Sequence, residues 1–165
     1  MRKAKLPLQQ VVRRLTENKI ASKKRKFSSK GKDFHLKMEH FDGPLPIGCN
    51  NNRQFLQIKI NGWILLVEDS NSFIITRAMV RAHVRNIVMN RNTEIVSFVC
   101  DQFVTVCDLW TNPLPSSSMG IYKVSNVRQE HVAILSSDLF AKCARFPIND
   151  NEGSFAIVSL LHNNM

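Results

Sequence analysis

From residue 52 onward, short apolar segments alternate with polar turns, which is the pattern of successive β-strands. Leu56, Ile58 and Ile60 alternate with polar neighbours, and this period of two predicts a strand with one buried face. Residues 63–67 form a short apolar run that ends at the polar residues 68–71, which indicates a second strand and a turn.

The same alternation of strand and turn continues to the C-terminus. Further strands are predicted at residues 94–108, 121–127, 131–136, 139–146 and 154–162. Proline, glycine and serine make 112–120 a loop, and residues 147–153 separate the last two strands like a hairpin loop. The count is about eight strands with no convincing helix, which predicts an all-β, antiparallel sandwich or barrel.

Residues 73–89 fit two structures. As a strand, they place Arg77, Met79, Arg81, His83 and Arg85 in one row; as a helix, the three arginines form a stripe with a spacing of four. The many β-branched residues favour the strand. The basic row would then face nucleic acid, a neighbouring subunit or solvent.

The positive charge of the protein is concentrated at its N-terminus. Residues 1–37 hold 13 of the 23 lysines and arginines and two acids, a net charge of +11, whereas the rest of the chain carries 10 basic and 11 acidic side chains, a net charge of −1. Like charges at this density repel one another until an anionic partner neutralises them. We therefore predict that residues 1–40 form a nucleic-acid-binding arm and residues 41–165 a compact domain. A solubilising tail or a nuclear-import signal are the alternatives.

Within the arm, Leu8, Val11, Val12 and Leu15 recur with helical spacing after Pro7, which predicts a short amphipathic helix. Because few aromatic residues lie between the cations, we expect neutralisation of phosphates rather than reading of bases. The four consecutive cations at 23–26 fit an import signal equally well. The predicted nucleic-acid-binding residues are Arg2, Lys3, Lys5, Arg13, Arg14, Lys19, Lys23, Lys24, Arg25, Lys26, Lys30 and Lys32.

No motif for catalysis is present. A Gly-rich phosphate loop, a GxSxG turn, an HExxH helix and a dinucleotide fingerprint are all missing, so we predict no enzyme, no catalytic residue and no cofactor or metal site. Cys100 and Cys107 would lie on opposite faces of a strand, which favours structural thiols. A nucleic-acid hydrolase that uses Cys100, Cys107 or His131 is the alternative.

No apolar stretch follows residues 1–3, so we expect no secretory signal, and no apolar run comes near the roughly 20 residues of a membrane span. We expect no membrane partner. The four cysteines have no CxxC spacing, and free thiols in a reducing compartment are expected.

A cationic N-terminal arm followed by about eight strands resembles the jelly-roll coat proteins of small icosahedral viruses. The resemblance is strongest to those of plant satellite viruses such as satellite tobacco necrosis virus. The coat proteins of circoviruses, nanoviruses and geminiviruses are similar. Residues 73–84, followed by the strand at 94–108, look like the paired early strands of these capsids. Residues 128–138 are similar to a late strand of the pattern basic–aromatic–x–aliphatic–Leu–x–Asp, with His131 and Val132 in place of the stronger base and the aromatic residue.

The resemblance implies an eight-stranded jelly-roll shell domain, a partly helical arm and a T=1 shell of about 60 copies that packages single-stranded nucleic acid. The arm helix favours RNA, whereas an import signal at 23–26 would favour DNA. The protein would be found in the virion, and in the host cytoplasm or nucleus during assembly. Calcium between subunits would use acids near loops and strand ends, which otherwise are solvated: Glu68, Asp69, Asp101, Asp108, Asp138 and Asp150. A non-viral nucleic-acid-binding β-domain, ribosomal or chromatin-associated, remains the alternative.

Overall fold

The computed structural model describes residues 34–46, 52–60, 62–70, 72–148 and 153–160. These residues form an antiparallel β-structure with two short 3-10 turns and no α-helix, so the all-β prediction is confirmed. The strands are β1 (Phe34–His40), β2 (Asn52–Ile60), β3 (Trp63–Leu66), β4 (Phe73–Thr76), β5 (Arg81–Asn90), β6 (Val96–Cys107), β7 (Ile121–Val127), β8 (Val132–Leu135), β9 (Leu139–Pro147) and β10 (Phe155–Leu160). Over these residues, no helix has the length and apolar character that crossing a membrane requires.

Six of the strands form a sheet that closes on itself. The order β5-β4-β9-β10-β7-β6 is completed by direct pairing of β6 with β5, and every pairing in it is antiparallel. We call these six strands the closed sheet. Closure removes the unpaired strand edges that an open sheet would expose.

The two long strands β5 and β6 extend beyond the closed sheet. The first half of β5 pairs with β4 and its second half with β2, and β6 likewise pairs with β7 and β8 along different halves. β1 and β3 then pair with the two edges of β2. The same two strands therefore support both the closed sheet and a second layer.

This arrangement gives two apolar cores, and β4 and β6 contribute side chains to both. Phe73 and Ile75 point into the closed sheet, whereas Ile74 between them packs with Phe98 and Ile58 in the second core. All four residues of β4 are buried. Burial on both faces explains why this part of the sequence is apolar at consecutive positions rather than at every second one.

Two features of the fold differ from the prediction. β1 belongs to the sheet, so the β-structure begins at Phe34, seven residues before the predicted domain boundary at 40/41; its alternating Phe34 and Leu36 pack against the second core, but the neighbouring charges led us to assign it to the arm. The predicted strand at 73–89 is two strands, because residues 77–80 turn the chain. This turn contains no glycine, and Met79 itself takes a positive φ of 61°.

The strand count and order also differ from the expected eight-stranded jelly roll. A jelly roll has eight strands in two sheets, whereas the described residues contain ten, and β4 to β7 follow one another as neighbours. The extra strands are β1 and the one created by the turn at 77–80. The predicted helix that begins near Pro7 lies outside the described residues.

Replacing Phe98 with alanine should lower the free energy of unfolding by about 3–5 kcal/mol, because its fully buried ring fills the second core. The matched variant Phe41→Ala removes a ring that is 77% exposed and should change the free energy of unfolding by less than about 0.5 kcal/mol. Urea denaturation measures both. Similar values for the two variants would contradict the described core.

Candidate functional site

One end of the closed sheet opens into a cavity of about 270 Å³, which we call the mouth cavity. Every strand of the closed sheet contributes to its lining, as does the loop before β4. The lining residues are Asp69, Phe73, His83, Arg85, Asp101, Phe103, Val127, Arg145 and Phe155. The cavity therefore combines charged groups with aromatic rings.

Aromatic rings form the base of the mouth cavity. Phe155 meets Phe73 and Phe103 edge to face, with ring centroids 5.4 and 5.3 Å apart. His83 stacks on Phe73 with centroids 4.3 Å apart and an interplanar angle of 12°. These contacts fix the rings, since aromatic pairs favour such offset-stacked and edge-to-face arrangements.

Asp101 joins two basic side chains at the rim. Its Oδ2 accepts a hydrogen bond from Arg85 Nε at 2.5 Å, and its Oδ1 lies 2.7 Å from His131 Nδ1. Arg85 takes this position because the register of β5 and β6 shifts between Val84 and Asn86, which leaves Arg85 without a partner across the ladder. A bulge of this kind redirects a side chain. The buried carboxylate of Asp101 therefore holds the half-exposed side chains of Arg85 and His131 in position.

Arg145 on β9 covers the aromatic rings from above. Its guanidinium carbon lies 4.5 Å from the centroid of Phe155 and 6.0 Å from that of Phe73. It also donates a long hydrogen bond of 3.4 Å to the Asp69 carbonyl. Cation–π contacts hold the guanidinium in place. Among the described residues, no carboxylate forms an ion pair with it.

His83 is neutral at neutral pH. Burial lowers the pKa of His83 to about 4, and the positive charge of Arg85 acts in the same direction. The carboxylates of Asp101 and Asp69 oppose this shift of the pKa but do not overcome it. The ring therefore offers one donor and one acceptor nitrogen rather than a charge.

The twelve predicted nucleic-acid-binding cations all precede Phe34 and lie outside the described residues. The predicted basic row of 77–85 is described, and it does not form one face. Arg77 lies in the turn, Arg81 stacks on Tyr122 at 4.1 Å, and His83 is buried. The row is interrupted because the turn at 77–80 and the bulge at Arg85 both break the alternation of a single strand.

The three described cysteines, Cys100, Cys107 and Cys143, are free thiols. Burial raises the pKa of the Cys143 thiol to about 12 and raises that of Cys100 as well, so both remain protonated. A buried, protonated thiol is unreactive. Cys107 is exposed at the end of β6, away from Cys100.

Two of the acids considered for calcium, Asp101 and Asp108, have other contacts. Asp108 accepts a hydrogen bond of 2.7 Å from the Ser117 amide, which lowers the pKa of this carboxyl, and Asp101 serves Arg85 and His131. In the described ranges, no group of three His, Cys, Asp or Glu residues is arranged to hold a metal ion. Asp150 lies outside these ranges.

The sequence did not predict the mouth cavity as a site. His83 and Arg85 were noticed as members of a basic row and Asp101 as an acid considered for calcium, and Arg145 and Phe155 were not singled out. Their proximity depends on pairings between strands that are far apart in the chain, such as β9 with β4 and β10 with β7. The apolar spacing of each strand contains no information about these partners.

The chain belongs to the family described as "Domain of unknown function (DUF8592)", whose model matches residues 39–160. The match spans β2 to β10 and therefore includes every strand that lines the mouth cavity. The search of curated proteins found no match. The search of solved structures found none either.

Stability should fall as the pH is lowered from about 6.5 to about 4. Unfolded His83 gains a proton near its ordinary pKa of 6.5, whereas the folded protein resists protonation down to about pH 4, so the unfolded state binds more protons in this window. Replacing His83 with phenylalanine should flatten the pH dependence of the free energy of unfolding in this range. Urea titrations at pH 4, 5, 6 and 7 test this; an unchanged profile would contradict the neutral, buried state of His83.

Proposed function

We propose that the protein is the coat protein of a small icosahedral virus, which forms a closed shell and packages single-stranded nucleic acid through its basic N-terminal arm. The observation that carries the proposal is the separation of charge, +11 in residues 1–37 and −1 in the remainder. A strongly basic segment can neutralise the phosphates of a nucleic acid, whereas a near-neutral domain can contact other copies of itself without strong repulsion. RNA is the favoured nucleic acid, and the virion is the proposed location.

The contacts of the basic side chains in the β-structure support this division of roles between the arm and the domain. Arg53 forms two hydrogen bonds of 2.7 Å with Glu39, Arg85 bonds to Asp101, and Arg81 lies over Tyr122. Arg53 and Arg81 are thus engaged within the β-structure and Arg85 is engaged through its Nε, so the arm is the principal source of charge for neutralising a genome.

An exposed apolar surface supports association between copies. The outward face of β9 and β10, which we call the outer wall, includes Phe140, Phe146 and Leu160, with 57%, 51% and 39% of their surface exposed. The inward residues Cys143 and Ile157 complete the core without them. Burial of such side chains between copies provides assembly energy at about 25 cal/mol per Å² of apolar surface.

The coat-protein proposal also makes an expectation about the finer architecture. An eight-stranded jelly roll is expected of such a shell domain, and the ten described strands differ from it in number and order; a partly helical arm is expected over packaged RNA. An experimental structure of the assembled particle would test both, because it would establish the strand connectivity and the conformation of residues 1–33 together.

A monomeric nucleic-acid-binding β-domain is the second candidate, and the mouth cavity with its arginines and aromatic rings favours it. Size-exclusion chromatography and negative-stain microscopy separate the two candidates. The coat protein forms closed particles of uniform diameter when nucleic acid is present, whereas the second candidate stays monomeric. The proposal includes no catalytic activity, no cofactor and no membrane partner.

Deleting residues 1–33 should abolish packaging and leave the β-structure folded, because the deletion stops before β1. Binding of the full chain to single-stranded RNA should weaken by about four decades between 50 and 200 mM salt if ten cations contact phosphates, since each contributes about 0.7 to the slope. Filter binding measures affinity, and circular dichroism checks the fold. A truncated protein that binds RNA as tightly as the full chain would overturn the assignment of the arm.

Replacing Phe140 and Phe146 together with serine should prevent particle formation while leaving the monomer folded, because both rings are already exposed. The matched control is Phe41→Ser, which removes a more exposed ring outside the outer wall. Particle yield is read by sedimentation velocity. Normal particles from the double variant would exclude the outer wall as the contact surface.

A further inference from the structure

The mouth cavity contains a buried polar side chain that lacks a partner. His83 is 7% exposed and lines the cavity, yet within the described residues no group forms a hydrogen bond with its ring nitrogens. Its recorded ring contact is the stack on Phe73. The ring nitrogens themselves are not enclosed, so they reach the cavity and can hydrogen-bond a molecule bound there.

Two guanidinium groups face the same cavity. Arg145 is fixed over Phe155 and has no ion-pair partner among the described residues, and Arg85 keeps Nη atoms available beyond its Nε bond to Asp101. Asp69 approaches Arg85 only at 3.9 Å, and its side chain is 92% exposed. The planar fork of arginine matches the oxygens of a phosphate better than an ammonium does.

The remaining lining is apolar and aromatic, and the cavity is small. At about 270 Å³ it lies just below the range of about 300–1,000 Å³ that is typical of small-molecule sites, so it excludes a duplex or a peptide helix. Aromatic side chains are the usual platform for unpaired bases, and a neutral histidine offers a donor and an acceptor for a base edge.

We propose that the mouth cavity binds one nucleoside monophosphate unit of a single strand, with the phosphate on Arg85 and Arg145 and the base against the aromatic rings and His83. This deepens the proposed function, on which the choice of a nucleotide ligand rests. It gives the β-structure a contact with individual nucleotides that is separate from the arm, which neutralises phosphates without regard to the base.

The test uses the full chain, freed of nucleic acid, in 150 mM salt. Isothermal titration calorimetry with AMP, GMP, CMP and UMP should show one site per chain for at least one of them. Inorganic phosphate and the corresponding nucleoside, as separate titrants, should each bind at least about tenfold more weakly, because each lacks one half of the contacts.

Arg145→Gln should reduce nucleotide affinity at least about tenfold, because a charge-assisted contact to phosphate is removed. The matched control is Arg53→Gln, since Arg53 also lies over a phenylalanine ring, Phe55 at 5.2 Å, but pairs with Glu39 far from the cavity. His83→Phe keeps the stack on Phe73 and removes the ring nitrogens, so it should lower nucleotide affinity to that of inorganic phosphate. Thermal melting confirms that each variant is folded, and His83→Phe decides the outcome if Arg145→Gln unfolds.

Three outcomes overturn the inference: no stoichiometric binding, equal affinity for phosphate and nucleotide, or an equal effect of Arg53→Gln and Arg145→Gln. Particle formation and RNA packaging are measured on the same variants. Normal particles without nucleotide binding would refute the nucleotide site in the mouth cavity and leave the coat-protein proposal intact. Nucleotide binding by a protein that never forms particles would refute the coat-protein proposal and leave the nucleotide site intact.

Discussion

Burial of β4, β5 and β6 on both faces is the constraint on which the rest of the structure depends. Neighbouring residues of β4 alternate between the two apolar cores, β6 contributes to both, and β5 places apolar residues in the second core and His83 at the mouth cavity. Loss of a side chain such as Ile74 therefore opens a cavity in a wall that two layers share. This explains why β5 and β6 are the longest strands and pair with different partners along each half.

The same alternation produces the chemistry at the mouth of the closed sheet. Phe73, Phe103 and Phe155 face inward, and polar residues replace apolar ones where the strands reach solvent. Asp101 is buried there at 8% exposure, which is unfavourable for a carboxylate unless it is bonded. Arg85 and His131 satisfy both of its oxygens. Within the described residues, the ring nitrogens of His83 have no hydrogen-bond partner, and Arg145 has no ion-pair partner.

Much of the fold could be predicted from local pattern, and the site could not. The strand at 121–127 was predicted with the residue bounds that the structure has, since its alternation and flanking loop are clear. The turn after Thr76 was missed because Met79 adopts a positive φ without glycine, and the Thr76 hydroxyl that accepts the Val80 amide gives no signal in sequence. The mouth cavity needs Arg145, His83 and Asp101 together, and only long-range pairing brings them together. Charge segregation remained the clearest functional signal in the sequence.

The outer strands of the described sheet have a consequence for how copies of the chain meet. Its free edges belong to β1, β3 and β8, which have seven, four and four residues. Met38 interrupts β1 with a φ of 58°, and a 3-10 turn follows β8 at once. Edges this short and irregular are poor templates for adding a strand from another molecule. Backbone pairing between molecules is therefore disfavoured, and the shell assembly that we propose would use side-chain surfaces, whose geometry can limit the number of copies, rather than open-ended growth of the sheet.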